Sequence, residues 1–150
     1  MVRRLICMLL CMTVICAVAS CGFDPGRKVK HVQYYNYQGP VMKYISGLDD
    51  YESIEYEAVT VTTAVSMGPH EPTYRGVIEL DDDLASEIWN KYDWKEADVA
   101  AFDFEKIDAG DLNSDTWYYS EAFAKDTIKY ESVDYIYFNG SSVVFSFKSS

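Results

Sequence analysis

All four cysteines, Cys7, Cys11, Cys16 and Cys21, fall within the first 21 residues, whereas all 13 Tyr, 7 Phe and 3 Trp follow Cys21. Beyond Cys21 the chain therefore has no disulfide, thiol nucleophile or cysteine metal site. A fold there must rest on an apolar core, and about 120 residues suffice for one. The charge is equally uneven. Arg3 and Arg4 are the only charged side chains before Cys21, and after it 11 basic residues face 24 acidic ones. Such acidity repels phosphate backbones, so no nucleic-acid partner is expected. It favours solubility and a basic partner.

The first twenty residues read as an address. Met1 to Arg4 is short and positive, and Leu5 to Ala19 is apolar except for Thr13. This is the charged and apolar layout of a secretion signal. Fifteen residues of helix span about 22 Å, short of a hydrocarbon core of about 30 Å, which disfavours a permanent span.

Val18-Ala19-Ser20-Cys21 resembles the lipobox of bacterial lipoproteins: an aliphatic residue, two small residues and a cysteine. The family's usual first residue is Leu, and here it is Val18. The resemblance implies that Cys21 receives a diacylglyceryl group and that residues 1–20 are cut away before it. The mature protein is then held outside the cell membrane, in the cell envelope, by lipid on Cys21. Two readings compete. Ala17-Val18-Ala19 also fits ordinary signal peptidase, which would release a soluble chain from Ser20, and an uncleaved anchor is the third possibility.

Residues 21–30 are expected to be the lipidated cysteine and a tether. Gly22, Pro25 and Gly26 discourage regular structure, and Arg27, Lys28 and Lys30 form a small basic cluster. Beside a membrane such a cluster suits anionic headgroups; it equally suits a solvated linker.

Residues 31–150 are expected to form one globular α+β domain with a mainly antiparallel sheet. His31 to Tyr44 is ambiguous. Ile54 to Val65 reads as a strand, with a change of alternation that suggests a bulge near Ala58. Met67 to Pro72 reads as a loop, and Tyr74 to Leu80 as a strand. The spacing of Leu84, Ala85, Ile88, Trp89 and Tyr92 predicts an amphipathic helix over 81–94, capped by Asp81, with Asp82 and Asp83 at its positive end. Residues 100–107 suggest a further strand, and Ser120 to Thr127 a short helix. A C-terminal hairpin over 133–147 is expected to turn at Asn139-Gly140, with Ile136 facing Val143, Phe138 facing Ser141, and Tyr135 paired with Val144 on the other face.

Candidate chemistry is sparse. There is no G-x-S-x-G elbow, and Ser141 and Ser142 belong to the turn. His31 lies beside the tether. His70 lies in a loop beside Glu71, without the second histidine of a zinc-protease motif. No catalytic residue and no cofactor are assigned. Asp111, Asn113 and Asp115 match the opening of a calcium loop, and Asp108 could join them. Thr116 and Ala122 stand where that loop wants Gly and a bidentate Glu, so the set reads equally as a polar loop. Acids are too plentiful for any pair to signal glycoside hydrolysis.

Trp117-Tyr118-Tyr119, and Tyr34-Tyr35 with Tyr37, place adjacent rings that one strand cannot all turn inward. Some must reach the surface, as rings do at recognition sites, although a core with Tyr at its rim gives the same pattern. The expected function is a non-catalytic envelope module for a protein or glycan partner. The alternatives are a small-ligand or calcium binder and an envelope hydrolase.

Overall fold

The computed structural model describes residues 26–63, 65, 70–129 and 132–149, so the signal segment and Cys21 lie outside the described residues. The strands are β1 (Lys28–Tyr35), β2 (Tyr51–Thr63), β3 (Thr73–Leu80), β4 (Lys95–Glu96), β5 (Tyr118–Tyr119), β6 (Val133–Phe138) and β7 (Ser142–Lys148). They form a sheet in the order β1-β2-β3-β7-β6-β5-β4, and every pairing is antiparallel. With helices α1 (Asp82–Lys91) and α2 (Glu121–Thr127), this is an α+β fold.

Alternation sorts the side chains onto two faces. Ile54, Tyr56, Tyr74, Ile78, Ile136, Phe138, Phe145 and Phe147 line one face. They pack under both helices and a 3-10 turn at Pro40–Lys43, which add Ile88, Phe123 and Val41. Val77 and Val144 on the other face are roofed by Phe102, Ile107 and Trp117. The sheet is thus covered on both sides, which is why Val143 to Phe147 are buried without a break. Each fully buried large apolar side chain contributes about 1.5–3 kcal/mol.

The helix starts follow the sequence. The Asp81 carboxylate accepts from the Leu84 N–H at 2.8 Å, and the Ser120 hydroxyl accepts from the Phe123 N–H at 3.5 Å. Helix α1 ends at Lys91 rather than Trp94. Tyr92 is extended, and the Trp94 indole N–H folds back to the Trp89 carbonyl at 3.1 Å, satisfying one of the helix's open acceptors.

Four expectations are corrected. The register of β2 and β3 runs unbroken through Ala58 and Val59, and the irregularity lies between Tyr51 and Ser53. Both faces near Ala58 are partly covered, so the shift of apolar parity needs no bulge. Residues 100–107 form an irregular cover and no strand, because the N–H groups of Glu105, Lys106 and Ile107 donate to the Glu57 carboxylate instead of a ladder. Lys28, Val29 and Lys30 pair with Thr63, Thr62 and Val61, so the sheet begins ahead of His31 and takes in part of the expected tether.

The last correction concerns β6 and β7. Phe138 faces Val143, Ile136 faces Phe145 and Tyr137 faces Val144, while Asn139 N–H donates to the Ser142 carbonyl. The turn is therefore centred on Gly140 and Ser141, with Gly140 at φ 104°. The Asn139 side chain drives the change: its Oδ1 accepts from Ser141 and Ser142 N–H at 3.0 and 2.6 Å. Because the facing residue moves by two, the apolar faces still coincide.

Candidate functional site

A shallow hollow of about 350 Å³ opens where α1 meets the β6–β7 turn, lined by Asp82, Ala85, Ser86, Trp89, Tyr118, Asn139 and Gly140. Trp89 forms its aromatic wall and is 40% exposed. Its placement follows from the chain. Ala85 and Ile88 point into the core, which turns Trp89, one residue on, to the rim. The Trp89 ring is then fixed on three sides. It stacks on Trp94 with centroids 6.1 Å apart, meets Tyr118 edge-on at 5.0 Å and leans on Phe138 at 5.9 Å. Trp94 packs in turn on Phe123 and Phe138.

Asn139 fixes one part of the polar wall. Asn139 holds the turn through its Oδ1, and its Nδ2–H donates to Asp115 Oδ2 at 2.8 Å. Asp82 and Ser86 stand on the exposed side of α1. The hollow offers an indole face and an amide held in place by their neighbours, with the Asp82 carboxylate and the Ser86 hydroxyl open to solvent beside them. A hollow with one aromatic wall and a few polar groups has the make-up of a binding site.

Next to it lies a groove of about 580 Å³ lined by Lys91, Tyr92, Lys95, Tyr119, Glu121 and Lys125 among others. Tyr92 is anchored by its hydroxyl, which donates to Asp126 at 2.9 Å, and Lys125 pairs with Glu121 at 2.7 Å.

The three adjacent rings at 117–119 separate by face. Trp117 is buried as part of the cover, Tyr118 pairs with Phe138 on the helix side, and Tyr119 is 38% exposed. Tyr34 and Tyr37 are also exposed, while Tyr35 stacks on buried Tyr56 at 4.8 Å.

Two of the calcium-loop candidates spend their side chains on other bonds. Asn113 Oδ1 accepts from the Phe102 N–H at 2.7 Å, and Asp115 serves Asn139. Asp111 leads into a 3-10 turn at Leu112–Ser114, where its backbone carbonyl accepts from Ser114, and Asp108 accepts from the Gly110 N–H at 3.0 Å. Among the described residues no group of three or more His, Cys, Asp or Glu is placed to hold a metal ion. His70 is partly buried and His31 is exposed on β1.

One acid does stand apart, and the sequence reading missed it. Glu57 is fully buried. Its carboxylate accepts from Arg75 Nε at 2.9 Å and from three successive backbone N–H groups, at 2.7 Å for Glu105 and 3.3 Å for Ile107. The signal was available: Glu57 sits between Tyr56 and Ala58, so it belongs to the second apolar face. Arg75, Tyr135, Tyr137, Ser146 and Phe102 line a cleft of about 270 Å³ beside it. Burial pushes the Tyr135 hydroxyl up to about 12. With its lone pairs committed to fixed donors, Glu57 is placed to hold the cover rather than to move protons.

Comparison of the chain with protein-family models, with curated proteins and with solved structures finds no match.

Proposed function

We propose that the protein is a lipid-anchored binding module of the bacterial cell envelope, held by Cys21 and taking a partner at the Trp89 hollow. The address rests on the positive start, the apolar segment and the Val18-Ala19-Ser20-Cys21 motif. Two acyl chains on one sulfur give stable anchoring with no further apolar helix.

The observation that carries the binding reading is Trp89. A tryptophan held rigid on three sides with 40% of its surface open loses little freedom on binding. Such rings dominate recognition energetics. In this reading the amphipathic helix over Asp82–Lys91 and the C-terminal hairpin over 133–148 form the rigid backing. A shallow hollow with a flat indole, a carboxylate, an amide and a hydroxyl suits one sugar ring of an envelope glycan: apolar face on the indole, hydroxyls on Asp82, Ser86 and Asn139.

The test is co-sedimentation of the anchored chain with purified envelope glycan, alongside Trp89→Ala. Wild type is expected to be retained, and Trp89→Ala to bind at least about tenfold more weakly. Equal retention of the two overturns the site. Retention of neither, with capture of a defined envelope protein lost in Trp89→Ala, moves the partner to the protein class.

A further inference from the structure

Charge is segregated along the sheet. Strand β1 starts where β2 ends, since Lys28 pairs with Thr63, and β3 starts beside the same end, since Thr73 pairs with Val59. This end carries Arg27, Lys28, Lys30 and Lys148, with His31 and His70 nearby. Two of its acids are paired, Glu71 with Lys148 at 3.9 Å and Glu105 with Lys30, while Asp134 accepts from the Ser146 hydroxyl at 2.8 Å and keeps its charge, so the excess of base at this end rests on Arg27 and Lys28. The opposite end, where β2 starts and β3 finishes, carries Asp49, Asp50, Glu52, Glu79, Asp81, Asp82 and Asp83. The Trp89 hollow lies at that acidic end, since the Leu80 N–H donates to the Ser141 carbonyl beside it.

The basic end is also where apolar side chains lie open. Val29 is 43% exposed, Val61 49% and Val65 60%. Val61 pairs with Lys30, the neighbour of Val29, so Val29 and Val61 point to opposite faces, and both lie open. The chain reaches this corner from Cys21. Seven residues from Cys21 to Lys28 span at most about 25 Å, whereas β2 is about 40 Å long.

We propose that this corner is a membrane-facing surface, with Val29, Val61 and Val65 entering the interface of an anionic bilayer and Arg27 and Lys28 meeting its phosphates, so that the Trp89 hollow points away from the membrane. The inference rests on the anchored reading above. The occupant is set by charge complementarity within an otherwise acidic protein and by the short lead from Cys21. Basic side chains flanking exposed apolar ones are the chemistry that seats a protein on anionic lipid. The acidic end is repelled by the same surface, so one field orients both ends.

The mature lipidated chain, whose one native cysteine is blocked by lipid, carries Val61→Cys labelled with an environment-sensitive fluorophore, and a second such chain carries the label at Asp83→Cys on the acidic end. Both are reconstituted on vesicles of phosphatidylglycerol and phosphatidylcholine containing nitroxide lipid, and on phosphatidylcholine alone. Quenching is expected to be several-fold stronger at position 61 than at 83 on the anionic vesicles. Arg27→Glu with Lys28→Glu is expected to bring it down to the level on phosphatidylcholine. Equal quenching at both positions overturns the proposal. So does a shift of the position 61 probe that rises with protein concentration without lipid, which marks a second copy as the occupant. If the anchored reading itself fails, the unlabelled chain does not float with vesicles. The chain labelled at position 61, with Cys7, Cys11, Cys16 and Cys21 changed to Ser so that no other thiol takes the fluorophore, then still tests the corner on anionic vesicles at low salt: quenching supports it, and none overturns it.

Discussion

Glu57 and Arg75 face each other across β2 and β3, and the Glu57 carboxylate lies 2.7 Å from Arg75 Nη2 at the point where the cover over residues 105–107 is tied down. Removing one partner of a buried pair leaves the other charge uncompensated and costs about 3–5 kcal/mol. Here three backbone donors lose their acceptor as well. Glu57→Ala is therefore expected to lower the unfolding free energy by at least that much in denaturant titration. Glu57→Gln keeps one acceptor oxygen and is expected to cost less. In both variants amide hydrogen exchange at 105–107 should accelerate before that of β3 or β7.

How far this arrangement was legible in the sequence depends on the range of the interactions. The Asp81 and Ser120 caps and the alternation of β2, β3 and β7 are local, and their residues announce them. The cover is not local. Its backbone is held by a carboxylate some fifty residues earlier, so no pattern within 100–107 records it. The β6–β7 register turned on a side chain: Asn139 spends its Oδ1 on the turn's own N–H groups, which moves the centre to Gly140. At the hollow, the spacing put Trp89 in the apolar stripe. Its place at the rim depends on Trp94 doubling back beneath it, and the expected longer helix hid that.

Gly76 marks a close approach between strands. A methyl group there would lie 2.3 Å from the Glu55 carbonyl and 2.5 Å from Tyr56 Cβ, and backbone cannot yield as a flexible side chain can. Gly76→Ala is expected to cost about 3 kcal/mol through overpacking. A melting temperature within a degree of wild type would show that the strands separate more easily than their contacts imply.

Alkaline stability follows from buried phenols, Tyr56 and Tyr135 foremost. Burial pushes Tyr56 and Tyr135 each up to about 12, above the ordinary value of 10.0. The unfolded chain loses these protons first as pH rises, so it gains relative to the folded state. The contribution is fully present below pH 10 and is lost as pH rises through 12. Ultraviolet titration of phenolate alongside circular dichroism is expected to show a late-ionising group of tyrosines, Tyr56 and Tyr135 with Tyr74 also raised by burial, whose titration coincides with loss of the fold. Tyr135→Phe should reduce this alkaline sensitivity.

Helix α1 carries the hollow's aromatic wall, so its start matters to the site. Asp81→Ala removes the acceptor for the Leu84 N–H and is expected to cost about 1 kcal/mol. The weaker 3.5 Å cap at Ser120 should cost less on Ser120→Ala. Thermal melts of the two variants rank them directly.

The anchor is defined by where the mature chain begins and what its first sulfur carries. Intact-mass and peptide mass spectrometry of the protein isolated from membranes settles both. The predicted result is an N-terminal peptide starting at Cys21 with a diacylglyceryl thioether. A peptide starting at Ser20 with a free thiol, or one retaining residues 1–20, would contradict it.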